Sequence, residues 1–235
     1  YRDAINALNV FPVPDGDTGT NMLLTMRSAV QSAADACPDG EDHSVAAVSA
    51  ALAQGAYLGA RGNSGVILSQ FFKGFSDALT GKEYLAAPDL ARALMLATKW
   101  AYSSVGNPVE GTMLTVIRMA SEAVQGVDDG LLGLWGTAYQ ASQDALSNTP
   151  EQLPVLREAG VVDAGGFGVV ILIGGALRAI SGTASPSIDL SGLGRFQGAA
   201  NNGSGPIDSG YLDSTMEEEW GNCTQFIISS VDGLG

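Results

Sequence analysis

Asp15 and Asp17 are two carboxylates separated by a single glycine, in the stretch Asn9-Val10-Phe11-Pro12-Val13-Pro14-Asp15-Gly16-Asp17-Thr18-Gly19-Thr20-Asn21-Met22. Carboxylates this close repel one another unless a cation lies between them, and hard divalent ions favour oxygen ligands. Magnesium usually takes one or two protein carboxylates and completes its shell with water and phosphate oxygens. Pro12 and Pro14 fix φ and bias Phe11 and Val13 toward extended geometry, so the approach to the acids is stiff. Beyond Gly19, Met22, Leu23, Met26, Ala29 and Val30 recur at helical spacing, with Thr18 or Thr20 as the N-cap. A helix start there offers free N–H groups to a phosphate. The same residue types also suit a solvated Asp-Gly-Asp turn, and the dipeptide pattern alone leaves both readings open.

Three further stretches have the composition of ligand-binding loops. Gly59-Ala60-Arg61-Gly62-Asn63-Ser64-Gly65 places three glycines and a small polar pair before an apolar run. That backbone can wrap an anion, or simply turn between helices. It is neither a Walker A sequence nor a dinucleotide fingerprint. Arg61 can meet phosphate charge or pair with an acid. Gly111-Thr112-Met113 opens a helix, where a hydroxyl can donate to phosphate and a polarizable methionine can cover a base, although Met113 also suits a core. Asp163-Ala164-Gly165-Gly166 sets an acid before two glycines at the start of the last helix, a pattern that allows close backbone approach.

Periodicity and breakers predict helices over 20–36, 44–58, 66–79, 88–105, 109–123, 130–146, 153–157 and 169–180. No strand pattern appears before residue 181, so the expected class is all-α over residues 1–181. Trp100 and Tyr102 read as core or interface aromatics. Residues 182–210 are dense in Gly, Ser, Pro and Asn, a linker composition. Residues 211–235 read as the start of a truncated second domain, with an acidic run and one strand at 223–231.

The chain has 235 residues, 46% of them hydrophobic and only 15% charged, with many alanines and glycines, which suits closely packed helices. A formal net charge of -14 argues against nonspecific binding to nucleic acid. It also repels bulk ATP, so a nucleotide site here must supply its own cation. Cys37 and Cys223 lie far apart without metal-ligand spacing, which points to a reducing cytoplasm. His43 stands beside Glu41 and Asp42 in an expected solvated loop. Neither a signal peptide nor an apolar run of transmembrane length is visible. The chain begins at Tyr1 without Met and ends in Asp-Gly-Leu-Gly, the look of a fragment.

Residues 6–22 closely resemble the signature of the DhaL-like nucleotide-binding domain. The branch they resemble most is that of bacterial fatty-acid kinases; the nucleotide-binding part of dihydroxyacetone kinases is a more distant match. The resemblance implies an antiparallel eight-helix barrel with the nucleotide at one end. It implies magnesium, usually two ions, held by Asp15 and Asp17 against the phosphates of ATP or ADP. Asn9 is the nearest counterpart of a third acid in the dihydroxyacetone kinases, one residue further away, and Thr18 stands where they have His. The implied nucleotide contacts are Thr18, Thr20 and Asn21; Gly62, Asn63, Ser64 and Gly65; Thr112 near phosphate and Met113 on the adenine face; and Asp163, Ala164 and Gly165, with Arg157, near ribose, base or phosphate.

The implied reaction is phosphoryl transfer to a fatty acid carried by a separate DegV-like fatty-acid-binding protein, giving an acyl phosphate for phospholipid synthesis. The resemblance leaves two alternatives. One is a dihydroxyacetone-type kinase subunit, against which Thr18 and the proline-rich approach argue; the other is a module that holds ADP without turnover. No nucleic acid, no membrane span, and a homodimer formed through domains outside this chain complete the expectations.

Overall fold

The computed structural model describes residues 1–38 and 43–182, and every regular element among them is a helix. In chain order these are α1 Arg2–Ala7, α2 Thr18–Ala36, α3 Val45–Leu58, α4 Gly62–Ala78, α5 Ala87–Ser103, α6 Met113–Ala123, α7 Gly130–Ser147, α8 Thr149–Gln152, α9 Pro154–Ala159 and α10 Ala164–Ser181. The linker, the second-domain start, the strand at 223–231, Cys223 and the turn at 39–42 lie outside the described residues, apart from Gly182.

Local chemistry accounts for most boundaries. Ser44 caps α3 by accepting the Ala47 N–H at 3.1 Å, and Pro88 sits in the first turn of α5, where its missing N–H costs nothing. Gly160 ends α9 in the left-handed conformation, φ 65°.

Each long helix packs on the next: α2 on α3, α3 on α4, α4 on α5, α5 on α6, α6 on α7 and α7 on α10. The circuit closes because α10 returns to α2, with α1 against both. The core inside it is aliphatic, with Leu90, Val116, Leu134, Leu146 and Val170 fully buried. Eight helices take part in that circuit, but not the eight that periodicity suggests. The short α1 belongs to it and had no periodic signal, whereas the predicted 153–157 segment is α9, which packs on α8 outside it.

Two boundaries move toward the glycines. α4 begins at Gly62 rather than 66, and α10 at Ala164 rather than 169. These glycines are the first turns of helices in tight contact, not loops before them. A Cβ on Gly168 would lie 2.5 Å from Met22 Sδ, so the end of the Met22 side chain fills the space this glycine leaves between α10 and α2. α10 also has the length and apolarity of a membrane span, 18 residues at mean hydropathy 1.7, contrary to the expectation from sequence. In the fold half of it is buried, its first seven residues entirely within the core.

Candidate functional site

A cavity of about 820 Å³ opens where several helices begin. Its wall includes Asp17, Thr18 and Asn21 from the start of α2, and Gly62, Asn63 and Ser64 from α4. Thr112 and Met113 come from α6, and Asp163 and Gly165 from α10. The segment after α5, Ser104 to Asn107, forms another side. With α4 and α6 starting at this end and α5 finishing there, successive helices run in opposite senses.

The loop before α2 is built around a buried asparagine. Asn9 is 3% exposed. Its Nδ2 donates to the Val13 carbonyl at 2.7 Å and to Asp15 Oδ1 at 3.0 Å, and its Oδ1 accepts from the Thr18 hydroxyl. Asp15 and Asp17 both line the cavity with exposed side chains, and Gly16 takes φ 66° between them. Partial burial raises the Asp15 carboxyl above its ordinary value, and the charge of Asp17 pushes it the same way. A cation between them would relieve that repulsion.

Neither threonine proposed as N-cap holds that position. Asp17 is the N-cap residue of α2, yet its side chain makes no capping bond. Asn6 does this work from α1: its Oδ1 accepts the Thr20 N–H and its Nδ2 donates to Thr20 Oγ1, both at 3.1 Å. Thr20 is thereby bonded to Asn6 and is not part of the cavity wall.

At the second loop, the amide of Asn21 lies over Gly62, where a Cβ would come within 2.4 Å of Nδ2. Gly65 is buried against Thr25 and does not line the cavity. Thr25 accepts the Arg61 N–H at 3.2 Å and donates to the Asn21 carbonyl at 2.8 Å, which ties α2 to the start of α4. α4 begins without a side-chain cap, so its first N–H groups remain available beside the cavity, whereas Asn6 takes the Thr20 N–H of α2 and the Asp163 carboxylate attracts the Met113 N–H of α6.

Thr112 and Met113 are held from behind. The Gly111 N–H donates to Thr115 Oγ1 at 2.8 Å, and Thr115 in turn donates to Glu110 Oε2 at 2.5 Å. Tyr102 on α5 and Arg118 on α6 complete the network, donating to Glu110 at 2.9 and 3.0 Å. Partial burial works against the Glu110 charge, but the donors Thr115, Arg118 and Tyr102 prevail and hold its pKa below the usual value. The Thr112 hydroxyl donates to the Val109 carbonyl at 2.7 Å. Met113 is both core and cavity wall.

Asp163 is 5% exposed and caps α10, accepting the Gly166 N–H at 2.6 Å. Burial lifts its carboxyl to about 6, against the pull of the Gly166 and Met113 N–H groups. Ala164 is buried and Arg157 is exposed on α9, and neither lines the cavity. Among the described residues no cluster of three or more His, Cys, Asp or Glu converges on a point.

The four loops singled out by composition thus share one cavity, though they span about 150 residues of chain. A family profile described as the DAK2 domain matches residues 12–178, which include the acid pair and the other three loops. The chain belongs to the DAK2 domain family. It is 39% identical over 229 residues to protein YloV of Bacillus subtilis, covering 96% of this chain and 40% of that protein. It is 42% identical over 185 residues to an uncharacterized protein of Staphylococcus saprophyticus, 77% of this chain and 33% of the other. The chain therefore spans only a third to two-fifths of these relatives. As a DAK2 domain it is a kinase-type, nucleotide-binding domain.

Sequence reasoning missed one wall of the DAK2 cavity. The segment from Ser104 to Asn107, at the junction of the predicted helices 88–105 and 109–123, also lines the cavity. Its position, directly before the Gly111-Thr112-Met113 stretch, was the available signal. Pro12 and Val13 line the cavity too, so the stiff approach is itself part of the wall.

Proposed function

We propose that this DAK2 domain binds ATP with magnesium and serves phosphoryl transfer to a fatty acid presented by a separate fatty-acid-binding protein in the cytoplasm. The observation that carries the nucleotide reading is the convergence of an acid pair and the starts of α2, α4 and α6 on one cavity. Asp15 and Asp17 would hold magnesium, which supplies charge neutralisation for the phosphates. The N–H groups at the starts of α2, α4 and α6 present partial positive charge to phosphate oxygens. Met113 and the α5–α6 segment offer an apolar wall for the base. Such catalysis is positioning and electrostatic stabilisation, without need of a protein nucleophile. The fatty-acid acceptor rests on the resemblance of residues 6–22 alone.

Calorimetric titration of ATP, with and without magnesium, tests the nucleotide reading. Magnesium-dependent binding is expected, and absence of binding in both conditions overturns it. The family description fits a second reading, a dihydroxyacetone-type kinase nucleotide subunit. ATP turnover with an added fatty-acid-binding protein, but not with dihydroxyacetone, separates the two.

A further inference from the structure

We infer that Asn9 positions Asp15 and does not ligate the cation, an inference that rests on the reading of Asp15 and Asp17 as the cation-binding pair. A buried asparagine beside two acids is a natural candidate for a third oxygen ligand. The hydrogen bonds around it say otherwise. The Val13 carbonyl can only accept, so the amide face 2.7 Å from it must be the NH2 group. The same NH2 reaches Asp15 Oδ1 at 3.0 Å. That leaves the amide oxygen directed to the Thr18 hydroxyl, which donates to it.

Thr18 thus sets the orientation of the Asn9 amide, and the amide holds one oxygen of Asp15. This matters because Asp17 repels Asp15, and an untethered Asp15 would swing away from its neighbour toward water. The donor at Asn9 holds the carboxylate in place by hydrogen-bonding its charged form.

The two roles predict opposite signs for the same substitutions. If Asn9 were a ligand, Asn9→Asp would add negative charge to the cation shell and tighten binding. If it positions Asp15, the new carboxylate faces the Val13 carbonyl and Asp15 itself, and the site loses its geometry. Likewise Thr18→Val would free the amide oxygen for a ligand, but unfixes it for a positioning residue.

The experiment is titration of Mn2+ into the protein at saturating ADP, with bound metal followed by electron paramagnetic resonance, on wild type, Asn9→Asp, Thr18→Val and Thr18→Ser. Loss of a group that orients a ligand weakens metal affinity about 10- to 100-fold, and a weakening of about tenfold or more is expected for Asn9→Asp. Thr18→Val should weaken in the same direction, with Thr18→Ser close to wild type. Equal or tighter Mn2+ binding by Asn9→Asp or Thr18→Val overturns the inference while leaving the acid-pair reading intact. Should Asn9→Asp fail to fold, Thr18→Val decides. A wild-type protein that takes up no Mn2+ overturns the acid-pair reading, and the inference with it.

Discussion

The side chain of Asn6 on α1 caps the helix that Asp17 begins. Its amide pairs with both the N–H and the hydroxyl of Thr20, at 3.1 Å each. An aspartate at an N-cap ordinarily folds its carboxylate back onto the second or third N–H of its own helix. Here the third N–H is already taken, so Asp17 faces the cavity instead. Asn6→Ala is expected to cost about 1 kcal/mol, as loss of an N-cap does. It should also weaken cation binding, because Asp17 can then turn back to the helix. Denaturant unfolding together with a metal titration checks both, and wild-type metal affinity in a destabilised variant would break the link.

Removing either acid should separate binding from folding. Asp15→Ala or Asp17→Ala is expected to abolish magnesium-dependent nucleotide binding while leaving the helical content unchanged, since both side chains are exposed. Circular dichroism and calorimetry on the same samples test this. Wild-type nucleotide affinity in either variant would move the site elsewhere.

The acid pair could be read from sequence because its chemistry is local: two carboxylates one residue apart constrain one another wherever the chain goes. Helical periodicity was equally local, and the long helices fall where it places them. What escaped was set by tertiary neighbours. The role of Asn6 depends on Thr20, fourteen residues on, across a helix of six residues too short to carry a periodic pattern. The glycines at 62–65 and 164–168 signal turns in isolation, but here they make room for Asn21, Thr25 and Met22. Arg157, expected near phosphate or ribose, lies exposed on α9.

The glycines yield a prediction in which two effects compete. Glycine inside a helix costs about 1 kcal/mol relative to alanine, so Gly→Ala should stabilise wherever a methyl fits. At Gly136 nothing lies within 4 Å of the added carbon, and Gly136→Ala should gain up to about 1 kcal/mol. At Gly55 the same carbon would sit 2.4 Å from the Ser28 carbonyl oxygen and 2.9 Å from Ala29 Cα, both backbone. There the clash wins, and Gly55→Ala should lose about 1–3 kcal/mol by forcing α2 from α3. Thermal unfolding of the two variants should shift in opposite directions, and shifts of one sign would refute the close packing of α2 on α3.

The buried Asp163 makes stability depend on pH with a definite sign. Its pKa rises from 3.8 to about 6 on folding, chiefly through burial. Between those values the native state holds a proton that the unfolded chain has released, so this group's contribution is fully present below about pH 3.8. It is lost as pH rises through 6. About 2 units correspond to at most about 3 kcal/mol. Asp163→Asn keeps an oxygen for the Gly166 N–H and removes the titration. The stability difference, wild type minus variant, should therefore fall between pH 4 and 7. A difference that stays constant across that range would rule out the raised pKa.

The Thr115 hydroxyl joins the inside of the fold to the cavity wall. It accepts the Gly111 N–H at 2.8 Å while donating to Glu110 at 2.5 Å. Gly111 needs that hold: it sits at φ 81°, and a Cβ there would meet Leu153, Gln152 and the Thr149 carbonyl at 2.9 to 3.0 Å. Thr115→Val preserves shape and removes both bonds, leaving a buried N–H unpaired at a cost of about 1–3 kcal/mol. The adjoining Thr112 and Met113 then lose their fixed placement, and nucleotide affinity should fall about tenfold, the equivalent of 1.4 kcal/mol. Thr115→Ser retains the hydroxyl and should recover most of that affinity despite its smaller side chain. If Thr115→Val folds and binds nucleotide as the wild type does, the network supports the helix alone and does not shape the site.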